Sequence, residues 1–172
     1  MNTHTMGNVF FFSLKDFSVG SVISPIDHSF RGSTSKEDIE KALENLRICE
    51  FKDYPSRLKC TFVAPSEEAA NEWCKCVKSF KWASQGCYLE YYIYELSGSS
   101  VLWFNADVLM QIKYPDNKKE VDEIAKEYWL SCSKEKLDSV FSDIEGITDK
   151  DLIVVSKKKM CLDKDRTYKE LK

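Results

Sequence analysis

Apolar positions recur along the chain in two periods, and the switches between them mark out the elements. Val9-Phe10-Phe11-Phe12 is a short aromatic and β-branched run ending at Ser13, and Ser21-Val22-Ile23 follows the turn residue Gly20; both predict strands. Ser24 to Ser35, with Pro25, Gly32, His28 and Arg31, reads as a loop. Ser35-Lys36-Glu37-Asp38 has capping-box spacing, and Ile39, Leu43, Leu46 and Cys49 then recur at helical steps, which predicts a helix from about Lys36 to Cys49. Leu58 to Val63 is the next strand region. Pro65-Ser66 opens a second helix, with Glu67 and Glu68 where carboxylates favour the positive helix end and with Ala69, Ala70, Trp73, Val77 and Phe80 as its core face.

Gly86 leads into the aromatic-rich run Cys87 to Leu96, and Ser97-Gly98-Ser99-Ser100 turns it toward Val101-Leu102-Trp103-Phe104, so this region predicts a hairpin. From Asn117 a third helix puts Val121, Ile124, Ala125, Tyr128, Trp129 and Cys132 on one stripe, with Lys, Glu and Asp opposite. A short helix near Lys134 to Phe141 and a last strand over Asp151 to Ser156 follow. Strands and helices in this order indicate an α+β fold, with two small antiparallel-rich sheets and flanking helices. At 172 residues and 43% hydrophobic, the chain fits one domain, read as residues 1–156, with residues 157–172 expected to be an unstructured polar tail.

Charge and cysteine usage narrow the class. Lys+Arg of 25 against Asp+Glu of 28 gives a net charge of -3, so no global positive field draws the chain to nucleic acid or an anionic membrane. Lys113, Lys118 and Lys119 are a local nucleic-acid contact at most. Seven cysteines are an odd number, several inside apolar patterns, and no secretory leader pattern opens the chain; the expectation is a cytoplasmic protein with reduced thiols. Cys74-Lys75-Cys76 has one intervening residue, and only His4 and His28 could join it, so no metal site is expected. No apolar run reaches a bilayer span. The 6 glycines are scattered and form no phosphate loop or nucleophile elbow.

Pro55 to Trp73 is the stretch that reads as a site: an arginine-led strand running through a proline and serine break into an amphipathic helix. PSRLKCTFVAPSEEAANEWC resembles the strand-and-helix motif of a bacterial family of small proteins grouped with the ADP-ribosyltransferase-like folds, whose members read P-S-R-L-x-x-x-F before a small-residue helix. FFFSLKDFSVGSVI, YIYEL, WFNADVLMQI and AKEYWLS fall in the family's order, so the resemblance spans Val9 to Ser156. It implies an ADP-ribosyltransferase-like domain that takes NAD as ADP-ribose donor and modifies a macromolecular target, protein or nucleic acid. A bacterial or phage toxin or defence-type effector is the implied setting, with an antitoxin or inhibitor protein as partner. One departure stands out. Where related transferases carry a Tyr-His pair on the first strand, with the histidine on the nicotinamide ribose, this chain has Phe10-Phe11-Phe12-Ser13.

The resemblance also implies roles. A looser similarity to rifampin-modifying ADP-ribosyltransferases, in which an aromatic strand and short turn lead to a catalytic aspartate, makes Asp107 the first choice of acid; other members carry a late-strand glutamate, for which Glu145 is nearest, with Asp143 behind it. Such a carboxylate stabilises the positive charge that develops as the glycosidic bond breaks. Arg57 offers a planar fork to the diphosphate and Ser56 a hydroxyl. Phe62 would stack on nicotinamide, Trp129 would wall the pocket, and Ser13 would take the missing histidine's place on the ribose. Each has a plainer reading: Asp107 as a strand terminator, Arg57 paired with Glu67 or Glu68, Phe62 and Trp129 as core, Ser13 as a strand end. Two other functions stay open. One is a catalytically inactive binding module on the transferase scaffold. The other is an immunity- or antitoxin-type protein presenting Tyr88, Tyr91, Tyr92, Tyr94, Trp103 and Phe104 as an aromatic face.

Overall fold

The computed structural model describes residues 8–27, 37–83, 89–98, 100–111, 118–135, 143–163 and 165–172. Along these the elements are β1 (Val9–Ser13), β2 (Val22–Ile23), β3 (Ile26–Asp27), α1 (Glu37–Glu50), β4 (Lys59–Val63), α2 (Glu67–Ala83), β5 (Leu89–Ser97), β6 (Leu102–Asn105), a 3-10 helix (Ala106–Gln111), α3 (Lys118–Leu130), β7 (Ile144–Thr148), β8 (Leu152–Leu162) and β9 (Tyr168–Glu170). The fold is α+β. One sheet has the order β1-β5-β8-β2 with β9 also on β8; the other runs β3-β4-β7-β6, and the pairings are antiparallel.

Side-chain alternation sorts these elements into layers. Val9, Leu96 and Leu152 of the first sheet meet Val63, Val101 and Trp103 of the second in an apolar core between the sheets. On the far side of the second sheet, Cys60, Phe104 and Ile147 pack under Ile39 and Leu43 of α1 and Val121, Ile124, Tyr128 and Trp129 of α3. On the far side of the first, Tyr91, Ile93 and Met160 pack against Ala69, Ala70 and Cys74 of α2. Phe10 and Ala64 exchange both backbone hydrogen bonds, at 3.0 and 2.6 Å, and tie β1 to the end of β4.

Local chemistry explains the helix starts and stripes. The Ser66 hydroxyl accepts from the Ala69 amide at 3.1 Å and caps α2. The Trp129 indole donates to the Leu43 carbonyl at 2.9 Å, which fixes α3 against α1. Gly146 lies where β7 faces the other sheet. A Cβ there would come within 2.7 Å of Val101 Cγ1 and 2.8 Å of both Trp103 Cζ3 and Val63 Cγ2, so no side chain fits.

Three expectations need correction. The run from Leu89 and the run from Leu102 are not a hairpin: β5 pairs with β1 and β8, and β6 pairs with β7 in the other sheet. Residues 157–172 are not an unstructured tail, because β8 continues to Leu162 and β9 folds back on it. Lys157, Lys158 and Lys159 pair with Asp16, Glu67 and Glu90 at 2.5, 3.0 and 3.3 Å, so acids on both faces of the sheet receive the three charges. The aromatic face is not presented either: Tyr91, Tyr94, Trp103 and Phe104 are buried, and Tyr92 is half-buried.

Tyr88, His4, His28, Arg31, Lys113 and all but the start of the expected Lys134 to Phe141 helix lie outside the described residues. Among the described residues, no helix is long and apolar enough to cross a membrane, and no His, Cys, Asp or Glu group is placed to hold a metal ion.

Candidate active site

Arg57 sits in the turn that feeds β4, and the turn is set by its neighbours. The Ser56 hydroxyl accepts from the Leu58 amide at 3.1 Å, and the Lys59 amide donates to the Ser56 carbonyl at 3.1 Å, so the Arg57 side chain is aimed beneath α1 and α3. There its guanidinium lies 5.0 Å from the ring centres of both Phe62 and Tyr128. Its Nε and Nη2 donate to the two oxygens of Glu40 on α1, at 3.2 and 3.0 Å. Its Nη1 donates to the Tyr128 hydroxyl at 2.8 Å and to Glu145 Oε1. Tyr128 in turn donates to the same Glu145 oxygen at 2.5 Å. Phe104 stands opposite Glu145 across β6 and β7 and stacks on Tyr128 at 4.9 Å, which explains how a helix hydroxyl meets a strand carboxylate.

The protonation of Arg57 and Tyr128 is set by their surroundings. Burial alone would lower the Arg57 pKa, but Glu145, Tyr128 and Glu40 outweigh it and hold the guanidinium well above its ordinary range. Burial pushes the Tyr128 phenol well up; Arg57 offsets part of this and Glu145 adds to it. Arg57 is therefore a permanent cation and Tyr128 a permanent donor. Glu145 differs from the rest in exposure. Its side chain is 12% exposed, against 5% for Arg57 and 6% for Glu40. Both hydrogen bonds to Glu145 land on Oε1. Among the described residues Glu145 Oε2 takes no hydrogen bond, and Thr61 Oγ1 is the one buried polar side-chain atom without a partner.

The expected site residues thus divide. Arg57, Phe62 and Glu145 converge. Arg57 pairs with Glu40 and Glu145 rather than with the second helix, where Glu67 goes to Lys158. Phe62 gives its ring to the guanidinium. Ser56 donates to Glu44 Oε2 at 2.7 Å, beside the Glu44–Arg47 pair at 2.7 Å. Trp129 is fully buried among Phe104, Tyr128, Tyr54 and Phe51. Asp107 is exposed at the start of the 3-10 helix, where its amide donates to Asn105 Oδ1 at 3.0 Å, and it joins none of the Arg57 cluster's bonds. Asp143 is exposed, and its carbonyl accepts from the Ala106 amide at 2.7 Å. Ser13 closes β1, accepts from the Lys15 amide at 3.1 Å and stands opposite Tyr92.

Two members of the cluster were not read as site residues. Glu40 lies on the buried stripe of α1, beside Ile39 and three residues before Leu43, and a carboxylate on an apolar stripe signals a buried partner. Tyr128 carries a hydroxyl on the buried stripe of α3, which signals the same. No curated protein matches the chain. The family described as "Protein of unknown function (DUF2441)" matches residues 10–145, a span that holds Glu40, Arg57, Phe62, Tyr128 and Glu145, and the chain belongs to that family.

Proposed function

We propose that the protein is an ADP-ribosyltransferase-type enzyme that uses NAD to modify a macromolecule, protein or nucleic acid, in the cytoplasm, with Glu145 as its acid in place of Asp107. The observation that carries this reading is the asymmetry of Glu145: Arg57 and Tyr128 clamp Oε1, while Oε2 takes no hydrogen bond among the described residues. A carboxylate held in one orientation by bonds to one oxygen, with the other unbonded, suits the stabilisation of a developing cation. In the proposed step the ribose C1–nitrogen bond of NAD breaks and its electron pair goes to the ring nitrogen, releasing neutral nicotinamide. The oxocarbenium-like ribose then bonds to a nucleophile of the target, whose proton passes to water.

Incubation with labelled NAD and cell lysate tests this. Label should appear on a macromolecule with wild type and with Asp107→Ala, and fall on the order of a hundredfold with Glu145→Gln. Transfer that survives Glu145→Gln removes Glu145 from the role. A wild type that transfers nothing, and whose melting temperature NAD leaves unchanged, sinks the transferase reading.

A second reading rests on a different observation. The Arg57 fork is bonded to Glu40 and Glu145, and Trp129 is fully buried, so two of the residues expected at an NAD site are engaged within the protein. A binding module without activity is the function left if the assay is negative.

A further inference from the structure

We infer that Glu40 and Tyr128 are positioning residues for Glu145, Tyr128 directly and Glu40 through Arg57. The inference rests on the transferase reading for its kinetic consequence and on geometry alone for its structural one.

A guanidinium can turn about its Cδ–Nε bond, and contacts at Nη1 alone leave that rotation open. Glu40 closes it. Bonds from Nε and Nη2 to the two Glu40 oxygens, at 3.2 and 3.0 Å, fix the plane of the group, and the rings of Phe62 and Tyr128, each 5.0 Å away, hold it in that plane. Nη1 then points at Glu145 Oε1 and at the Tyr128 hydroxyl together. The hydroxyl accepts from Arg57 and donates to Glu145, and a hydrogen bond polarised in this way is stronger than either alone. Four elements, α1, the turn before β4, α3 and β7, therefore decide which Glu145 oxygen is held and which is left unbonded.

The test compares Glu40→Gln, Tyr128→Phe and Glu44→Gln. Glu44 lies one turn further along α1, bonds Arg47 and Ser56 and makes no bond to Arg57, Tyr128 or Glu145, so Glu44→Gln controls for loss of a carboxylate from the same helix. Glu40→Gln and Tyr128→Phe should each lower kcat about tenfold or more at unchanged KM for NAD, while Glu44→Gln leaves kcat within about twofold. Tyr128→Phe keeps the ring that stacks on Phe104 and carries the kinetic test alone if Glu40→Gln does not fold. A kcat near wild type in the variants that fold, or an equal fall in Glu44→Gln, overturns the inference.

Proton NMR of the Tyr128 hydroxyl separates this from the transferase reading. In wild type the proton should exchange slowly and resonate downfield, and in Glu40→Gln it should shift or be lost. If wild type transfers no ADP-ribose but the signal responds to Glu40→Gln, the enzyme reading falls and the positioning stands. A signal unmoved in folded Glu40→Gln overturns the positioning whatever the activity.

Discussion

Glu145 and Gly146 are neighbours on β7 and serve opposite faces of one sheet. On the helix side, Glu145 meets an arginine and a tyrosine, and the arginine a second carboxylate, in a layer otherwise filled by Leu43, Phe104 and Trp129. On the sheet side, a Cβ on Gly146 would come closer than 3 Å to Val63, Val101 and Trp103, so even a methyl group would force its neighbours to shift. Both faces are close-packed, but they fail differently. The apolar face is sensitive to volume, because its groups are chemically interchangeable. The polar face is sensitive to identity, because removing one partner strands the others.

This contrast can be broken by measurement. Arg57→Ala should have the largest effect, since it leaves Glu40 and Glu145 buried without their shared cation: a loss of about 3–5 kcal/mol, read from urea unfolding as a lower midpoint at unchanged slope. Gly146→Ala should cost about 1–3 kcal/mol by overpacking. If the order of these two were reversed, the helix-side cluster would not be the more fragile face.

Ser56→Ala sharpens the comparison with a polar group at the cluster's edge, where about 1 kcal/mol or less is expected. Burial works against the Glu44 charge, but its bonds to Arg47 and Ser56 outweigh this and lower its pKa. A carboxyl lowered in the folded state adds stability that is present above the ordinary glutamate range and is lost as pH falls through the folded value. The gap between wild type and Ser56→Ala should therefore be full at neutral pH and close on acidification. A gap that widened instead would contradict the assignment. Thr61→Val should have the smallest effect. Its hydroxyl is buried without a partner on β4, so the change should be neutral or stabilise by up to about 1 kcal/mol in thermal melts.

Local signals were legible where one element decides the outcome. The stripe of α3 and the capped start of α2 follow from spacing and end chemistry, and the core positions of α1 lie on its predicted stripe. What failed was pairing. Apolar residues on both faces of β5, Tyr91 and Ile93 on one and Tyr94 and Leu96 on the other, mark a strand between two layers, and such a strand takes its partners from far along the chain. The Ser97 to Ser100 turn outweighed that sign. The Lys157 to Lys159 run looked like a tail because its counter-charges sit on α2, β5 and the segment after β1, invisible to a local window. The site was partly legible for the same reason. Arg57, Phe62 and Glu145 stood out one at a time, while Glu40 and Tyr128 gain meaning only once α1 and α3 lie over β7.

The position of β8 has a practical consequence for any attempt to shorten the chain. The family match ends at residue 145, yet β8 begins at Leu152 and runs between β5 on one side and β2 and β9 on the other. A fragment cut at 145 would open the whole edge of β5 and uncover Leu96 and Tyr91, a long apolar edge of the kind that recruits strands from neighbouring molecules. Its fate would be aggregation, and a loss of function seen in it would say nothing about catalysis.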